Sequence, residues 1–231
     1  MLSSKNLTPA QLAGMIDHTF LKAFGTPADI EKLCREAVQW GFACVMVNPS
    51  EIEHCVRLLQ GTAVPVGVTL GFPLGQNTVA VKEYETQDAM ARGARELDMV
   101  INVRALQAGA RDVVRAEMAA LVRAGRPAGL VTKVILETCY LTDEQKQQAC
   151  RLAKDEGVGF VKTSTGFGAG GATVADIRLL RAAVGSGLGV KASGGIRDLA
   201  AARAMLDAGA NRLGTSSGVA LVEELRRQSE R

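Results

Sequence analysis

Lys133, Lys162 and Lys191 each stand inside a short apolar run: Val131-Thr132-Lys133-Val134-Ile135-Leu136, Gly159-Phe160-Val161-Lys162-Thr163 and Gly189-Val190-Lys191-Ala192. Successive lysines are 29 residues apart, close to the roughly 30 residues of one strand–helix–strand unit. A single strand lysine is ordinarily a solvated edge residue. Three in register, flanked by Val, Ile, Leu and Phe, fit that reading less well, because a parallel strand covered by helices is a nearly continuous apolar run with little water on either face. A buried ammonium binds its proton less tightly, and a second cation nearby weakens it further. A lysine that is neutral at neutral pH is a nucleophile able to form a Schiff base with a carbonyl carbon. These strands therefore point to covalent amine chemistry on a carbonyl compound.

Two further signals accompany the lysines. Asp98 lies between Leu97 and Met99 in another apolar run; a lone carboxylate there is costly unless paired. It reads as the ionic partner of a lysine, as a proton relay beside the lysines, or as both. Asp17 is a similar but weaker case. The third signal is anion-shaped. Ser193-Gly194-Gly195-Ile196-Arg197 and Gly214-Thr215-Ser216-Ser217-Gly218 are glycine-rich, and the second opens a helix pattern. Glycines let backbone N–H groups approach an anion, and a helix N-terminus favours negative charge. Gly166-Phe167-Gly168 offers a third wall. A phosphorylated carbonyl compound satisfies all three signals, with its phosphate on the loops and its carbonyl over the lysines.

These residues must be positioned by the elements around them. Apolar periodicity alternates between short strands and helices along the whole chain. Strands are predicted near Met15–Thr19, Phe42–Val47, Val64–Leu70, Leu97–Asn102, Leu130–Leu136, around Lys162, around Lys191, and at Asn211–Gly214. Helices are predicted from Thr26-Pro27 to Gly41 with Ile30, Leu33, Cys34, Ala37 and Val38 inward, from Pro49 to near Gly61, and over Val79–Arg92 and Asp112–Arg123. Others follow after the Thr142/Gln145 capping box, over Val174–Val184, after Asp198, and over Val219–Arg227. Eight strands alternating with eight helices predict a (βα)8 TIM barrel, an α/β fold of one domain over residues 1–231. The alternative, a doubly wound open sheet, would carry a glycine fingerprint after its first strand, where this chain has Asp17-His18-Thr19. In a barrel the lysines, Asp98 and the loops after strands seven and eight meet at the C-terminal mouth. Lys162 would share its face with Phe160 and Ser164, and Lys191 with Ser193. Two ammonium groups on adjacent strands, about 4.8 Å apart, cannot both stay comfortably charged. Spacing leaves open which of them titrates low.

Bulk properties narrow the function. The net charge is +3 and aromatic residues are 4% of the chain, which argues against nucleic-acid binding. No apolar run approaches the roughly 18 residues of a membrane helix, and Met1–Lys5 does not read as a secretory leader. Cys34, Cys44, Cys55, Cys139 and Cys150 form no C-x-x-C pair, and histidine is limited to His18 and His54. No metal site and no cofactor are expected, and buried thiols in a reducing cytoplasm are.

The chain resembles the deoxyribose-phosphate aldolase family. The resemblance is carried in order by Ile16-Asp17-His18-Thr19, Val47-Asn48-Pro49, Gly71-Phe72-Pro73-Leu74-Gly75, Glu96 to Asn102, Lys133 to Thr138, Lys162 to Phe167, Lys191 to Arg197 and Gly214 to Gly218. It implies a metal-free class I aldolase that reversibly cleaves 2-deoxy-D-ribose 5-phosphate to D-glyceraldehyde 3-phosphate and acetaldehyde. Lys162 would be the Schiff-base lysine, Lys191 the cation lowering its pKa, and Asp98 a proton donor and acceptor working through water. Substrate and phosphate contacts would fall on Asp17, Thr165, Gly166, Gly194, Gly195, Gly214, Ser216 and Ser217. The chain departs from many relatives in having Met46, with Cys44 two residues earlier, where they place a cysteine. It has no tyrosine in Glu223–Arg231, and Phe167 stands where some relatives have lysine. Other readings of the same residues are a different phospho-sugar aldolase or isomerase on this fold, and a catalytically silent sugar-phosphate-binding barrel. A homodimer joined through outer helix faces is expected.

Overall fold

The structure is a computed structural model and describes residues 6–230. Eight parallel strands close into a barrel in chain order. They are β1 Ile16–Phe20, β2 Cys44–Val47, β3 Val66–Leu70, β4 Glu96–Val100, β5 Val131–Ile135, β6 Phe160–Lys162, β7 Gly189–Ser193 and β8 Arg212–Thr215, with β8 pairing back onto β1. The TIM barrel expected from the alternation is the fold observed. β1 and β8 have the predicted length shifted by one residue, β2 and β3 begin two residues later than predicted, and β4 and β5 end one or two residues earlier, where the apolar run continues past the ladder into the loop.

Around the strands lie α1 Pro9–Ala13, α2 Pro27–Trp40, α3 Ile52–Leu58, α4 Val79–Ala91, α5 Val103–Gln107, α6 Arg111–Gly125, α7 Asp143–Glu156, α8 Val174–Val184, α9 Leu199–Asp207 and α10 Gly218–Ser229. Eight helices were expected and ten are present among the described residues. The two additions are single-turn elements. Thr8 caps α1 through a capping box with Gln11, and the Asn102 side chain accepts from the Ala105 N–H to start α5. The longer helices are set by local chemistry. Pro27 at the first position and the Thr26/Asp29 box start α2, and Gly41, at φ 69°, ends it. Thr142 and Gln145 do the same for α7, which Gly157 ends at φ 76°.

The main core is the layer between strands and helices, where outward strand residues such as Val45, Val68, Leu97, Val134, Val161, Val190 and Leu213 meet the apolar helix stripes. Ile30, Leu33, Cys34 and Ala37 of α2 are buried there as expected, but Val38 is 45% exposed. It sits 100° beyond Ala37 around the helix, past the edge of the strip the barrel covers. Inward-facing positions, by contrast, carry the charged residues. No helix among the described residues is long and apolar enough to cross a membrane.

One buried ion pair fixes the end of β4. The Lys82 ammonium on α4 donates to Glu117 Oε1 on α6 at 2.7 Å and to the Val100 carbonyl at 2.8 Å, while Glu117 Oε2 accepts from the Asn102 N–H at 2.9 Å. Burial pushes the lysine pKa down and the carboxyl pKa up, and each group is held charged by the other. The strand that carries Asp98 is thereby tied to two outer helices.

Candidate active site

Inward side chains of six strands meet in the upper half of the barrel. β6 presents Phe160 at its lower end, where the ring fills the space left by Gly189 on β7; a Cβ at Gly189 would lie 2.1 Å from it. Two residues on, Lys162 therefore faces inward, directly opposite Lys191 in the ladder. Asp98 on β4 is in register with Lys133 on β5. All four side chains are 3% exposed or less.

Asp98 is the hub. Its Oδ1 accepts from the Lys133 ammonium at 2.7 Å, and its Oδ2 accepts from Lys162 at 2.9 Å and Lys191 at 2.7 Å. Lys191 also donates to Asp17 Oδ2. Lys133 donates to Glu96 Oε2 at 2.6 Å, and Arg212 donates to Asp17 Oδ1 and Glu96 Oε1, both at 2.5 Å. Three carboxylates (Asp17, Glu96, Asp98) thus balance three cations (Lys133, Lys191, Arg212). Lys162 is the cation left over.

That surplus separates the two lysines that spacing could not distinguish. Lys191 lies between Asp17 and Asp98; burial works against its charge, but the two carboxylates outweigh burial and raise its pKa. Among the described residues the Lys162 ammonium hydrogen-bonds Asp98 alone. Burial is the largest influence on it, opposed by Asp98 and reinforced by Lys191, and its pKa falls to about 8. Lys133 is held well above the ordinary lysine value despite burial, by Asp98, Asp17 and Glu96. Asp98 is driven well below the usual carboxylate range by Lys133, Lys162 and Lys191, against the opposing effect of burial. The arrangement supplies one readily deprotonated amine beside a carboxylate that is ionised at rest.

Above Lys162 opens a cavity of about 520 Å3 lined by the ends of β1, β6, β7 and β8. Of the residues singled out from the sequence, Lys162, Thr165, Gly166, Gly194, Gly195, Gly214, Ser216 and Ser217 line it. Asp98, Lys191 and Asp17 do not; all are 0% exposed and lie beneath its floor. Asp17, expected among the substrate contacts, has its oxygens occupied by Lys191 and Arg212 and is a counter-ion under the site. Gly214, expected in a phosphate loop, is a β8 residue. A Cβ there would lie 3.0 Å from Lys191 Cε, so its bare backbone also makes room for the lysine.

The walls are built mainly of backbone. Gly166, Gly194 and Gly195 have φ of 87°, 83° and 82°, values that favour glycine. The loops after β6 and β7 touch main chain to main chain: the Ala172 N–H donates to the carbonyls of Ser193 and Gly194 at 3.0 and 3.1 Å, and a Cβ on Gly171 would lie 2.3 Å from the Gly194 oxygen. Thr215 Oγ1 donates to the Ile196 carbonyl at 2.7 Å and accepts from the Ser217 N–H at 2.9 Å, aligning the N-terminus of α10 with the cavity. That end attracts anions. Lys22, Lys32 and Arg197 add charge to the lining.

Several site residues escaped sequence reasoning. Glu96 and Arg212 open their strands and carry no role in the sequence reading, yet each lies two residues from a residue already singled out, Asp98 or Gly214, a period-2 signal that could have revealed them. Glu137, after β5, has φ 53° and a buried carboxylate accepting from the Thr165 hydroxyl and N–H; burial raises its pKa. Thr165 Oγ1 in turn accepts from the Phe167 N–H at 3.0 Å, so Glu137 shapes the β6 loop. Phe167, in the cavity lining, meets the Phe72 ring edge-on at 5.3 Å. Asp17, Cys44 and Glu96 bring potential metal-ligand atoms within 4.8 Å of one another, but both carboxylates are already engaged by cations. Burial, with Asp17 and Glu96 nearby, pushes the Cys44 thiol well above its ordinary pKa. Cys139 is exposed, and the other four cysteines are buried free thiols.

Comparison with known proteins gives the same picture from a different direction. Residues 12–223 match the family described as DeoC/LacD family aldolase. The deoxyribose-phosphate aldolase of Bacteroides thetaiotaomicron is 61% identical across 94% of this chain and 92% of its own length. That of Lysinibacillus sphaericus is 56% identical across 92% and 95%. Among solved structures, the tetrameric deoxyribose phosphate aldolase of Aeropyrum pernix superposes with a TM-score of 0.89 at 34% identity, covering 96% of this chain and 93% of that one. An amine made nucleophilic by its surroundings is what a Schiff-base aldolase requires, and the chain belongs to the DeoC/LacD family of aldolases.

Proposed function

We propose that the chain cleaves 2-deoxy-D-ribose 5-phosphate reversibly to D-glyceraldehyde 3-phosphate and acetaldehyde through a Schiff base on Lys162. The observation that carries the reading is the position of Lys162: the surplus cation of the buried cluster, with its pKa lowered to about 8, at the floor of a cavity walled by anion-accepting loops. The substrate phosphate lies against the Gly166, Gly194-Gly195 and Ser216-Ser217 backbone and the start of α10. This leaves the C1 aldehyde over Lys162. The neutral amine adds to C1, and loss of water yields a protonated Schiff base, which acts as an electron sink. The C3 hydroxyl gives up its proton through water to Asp98, the C2–C3 bond breaks, and glyceraldehyde 3-phosphate leaves. The remaining enamine takes a proton at C2, and hydrolysis releases acetaldehyde and restores the amine. Lys191 stays charged and keeps Lys162 deprotonatable. The reaction needs no metal or cofactor.

Exposed Val81 and Tyr84 on α4 and Val113 on α6 fit association of copies through outer helix faces as a homodimer or higher homo-oligomer. The four buried free thiols fit action in the cytoplasm.

Borohydride reduction in the presence of acetaldehyde, followed by peptide mass analysis, tests the assignment. The expected result is a single two-carbon adduct on Lys162, formed equally well with a chelator present. An adduct on Lys191 would reverse the roles of the two lysines, and no adduct alongside intact turnover would remove the Schiff base altogether.

The lowered pKa gives a signed pH dependence. Attack requires the neutral amine, whose fraction is about one in ten at pH 7 for a pKa of about 8. kcat/KM is expected to rise roughly tenfold per pH unit below that value and to level off above it. A profile flat between pH 6 and 9 would contradict a titrating Lys162.

A further inference from the structure

The inner face of the barrel carries a buried hydroxyl that the cleavage outlined above does not use. A Cβ on Gly67 of β3 would lie 2.6 Å from Met46 Cε and 3.4 Å from Cys44 Sγ, and Cys44 shares the barrel interior with Asp17 and Glu96. Position 67 therefore faces inward. Thr69, two residues on, faces the same way one layer nearer the mouth. It is the direct ladder partner of Asp98 and is 1% exposed, yet its Oγ1 has no hydrogen-bond partner among the described residues. Lone buried hydroxyls are costly, and valine would fill the same volume without that cost. The arrangement fits a ligand that supplies the missing partner.

The loops that receive the phosphate follow β6, β7 and β8, and the carbonyl carbon is on Lys162 of β6. A substrate held at both points directs its C1–C2 end away from the phosphate, toward Asp98 and hence toward Thr69 beside it. Resting on the Schiff-base reading above, we propose that Thr69 determines donor specificity by pairing its hydroxyl with a hydroxyl on C2 of the donor. The enzyme then takes a 2-hydroxy aldehyde, glycolaldehyde, as donor as well as acetaldehyde. Lys162 condenses with the glycolaldehyde carbonyl, releasing water. Loss of a C2 proton gives the enamine, and C2 bonds to C1 of glyceraldehyde 3-phosphate while the carbonyl oxygen there gains a proton. Hydrolysis takes back one water and frees a pentose 5-phosphate that keeps its C2 hydroxyl. No redox change occurs.

The test measures kcat/KM for glycolaldehyde and for acetaldehyde, with glyceraldehyde 3-phosphate as acceptor, in the unaltered enzyme, Thr69→Val and Thr69→Ser. Borohydride trapping with each donor is run alongside. In Thr69→Val the glycolaldehyde-to-acetaldehyde ratio is expected to fall about tenfold, the scale of one lost hydrogen bond, and Thr69→Ser is expected to restore it to within about twofold of the original. Because the readout is a ratio, a partly unfolded variant does not imitate the result. An unmoved ratio, or an unaltered enzyme that makes no pentose phosphate from glycolaldehyde, overturns the proposal. A fall in both donors together also overturns it and assigns the hydroxyl to a proton-carrying water instead. If acetaldehyde leaves no adduct on Lys162 of the unaltered enzyme, the Schiff-base reading itself fails; an adduct there with an unmoved ratio removes only the role of Thr69.

Discussion

Lys162→Ala is expected to lose turnover of 2-deoxy-D-ribose 5-phosphate by on the order of 10^4-fold or more, as when the nucleophile of a concerted catalytic unit is removed, while the barrel stays folded. The charge arrangement supports both halves. No other amine in the cluster is free to act: Lys133 and Lys191 have raised pKa values and are clamped between carboxylates. The fold is spared because, among the described residues, the Lys162 ammonium makes one hydrogen bond, to Asp98 Oδ2, and that oxygen keeps Lys191 while Oδ1 keeps Lys133. Removing a desolvated surplus cation relieves a cost and strands no partner. Steady-state acetaldehyde release and urea unfolding check the two halves separately. Residual activity above about one percent of the original would mean that Lys191 or Lys133 can substitute, contrary to the pKa order argued here.

Lys133→Met should have the opposite profile, a large loss of stability from a residue that does not line the cavity. Its ammonium is 0% exposed and neutralises Asp98 Oδ1 and Glu96 Oε2 together. Without it Glu96 Oε2 and Asp98 Oδ1 lose their buried donor, and the three carboxylates are matched only while Lys162 stays charged. Breaking a buried pair in this way costs about 3–5 kcal/mol, to be read from the urea midpoint at constant m-value. A second consequence has a definite sign. Lys133 is one of the cations holding the Lys162 pKa down, so its loss favours the charged amine. The kcat/KM profile should move toward higher pH, and activity at pH 7 should drop even in the folded fraction. A stability loss below about 1 kcal/mol would place the cluster in the solvated, weakly contributing class of ion pairs.

Much of this design could be read from residue order. The alternation of short apolar runs with capped helices specifies the barrel, since caps such as Thr26-Pro27 and Thr142/Gln145 and stops such as Gly41 are local and act through backbone geometry. Lys162, Lys191 and Asp98 announced themselves because a charge inside an apolar strand contradicts its surroundings. What escaped notice depends on three-dimensional proximity. The lysines are evenly spaced, yet their electrostatics differ because β8 closes onto β1 and brings Asp17 to Lys191. Spacing along the chain carries no trace of that closure. Glu96 and Arg212 were hidden by their position at strand beginnings, where charges are common. The pair Lys82–Glu117 joins two helices, and neither sequence by itself names the partner. Glu137 was hidden because a left-handed non-glycine residue has no sequence signature. Val38 shows the reverse error, an apolar residue consistent with the helix period but beyond the width of the contact.

The loops around the cavity line it largely with peptide groups and keep their shape by touching main chain to main chain, as at Ala172, Ser193 and Gly194. Such a surface is largely indifferent to mutation, because nearly every substitution leaves the amide in place. Substitution is felt at two kinds of position: the few glycines, whose positive φ or close main-chain contacts exclude a side chain, and lining side chains such as Phe167 and Arg197, which do not set the course of the main chain. If these loops hold the phosphate as proposed, lineages of this fold can drift in which acceptor aldehydes they admit while that hold is inherited intact. Directed evolution aimed at the lining side chains would then begin with that grip already secured.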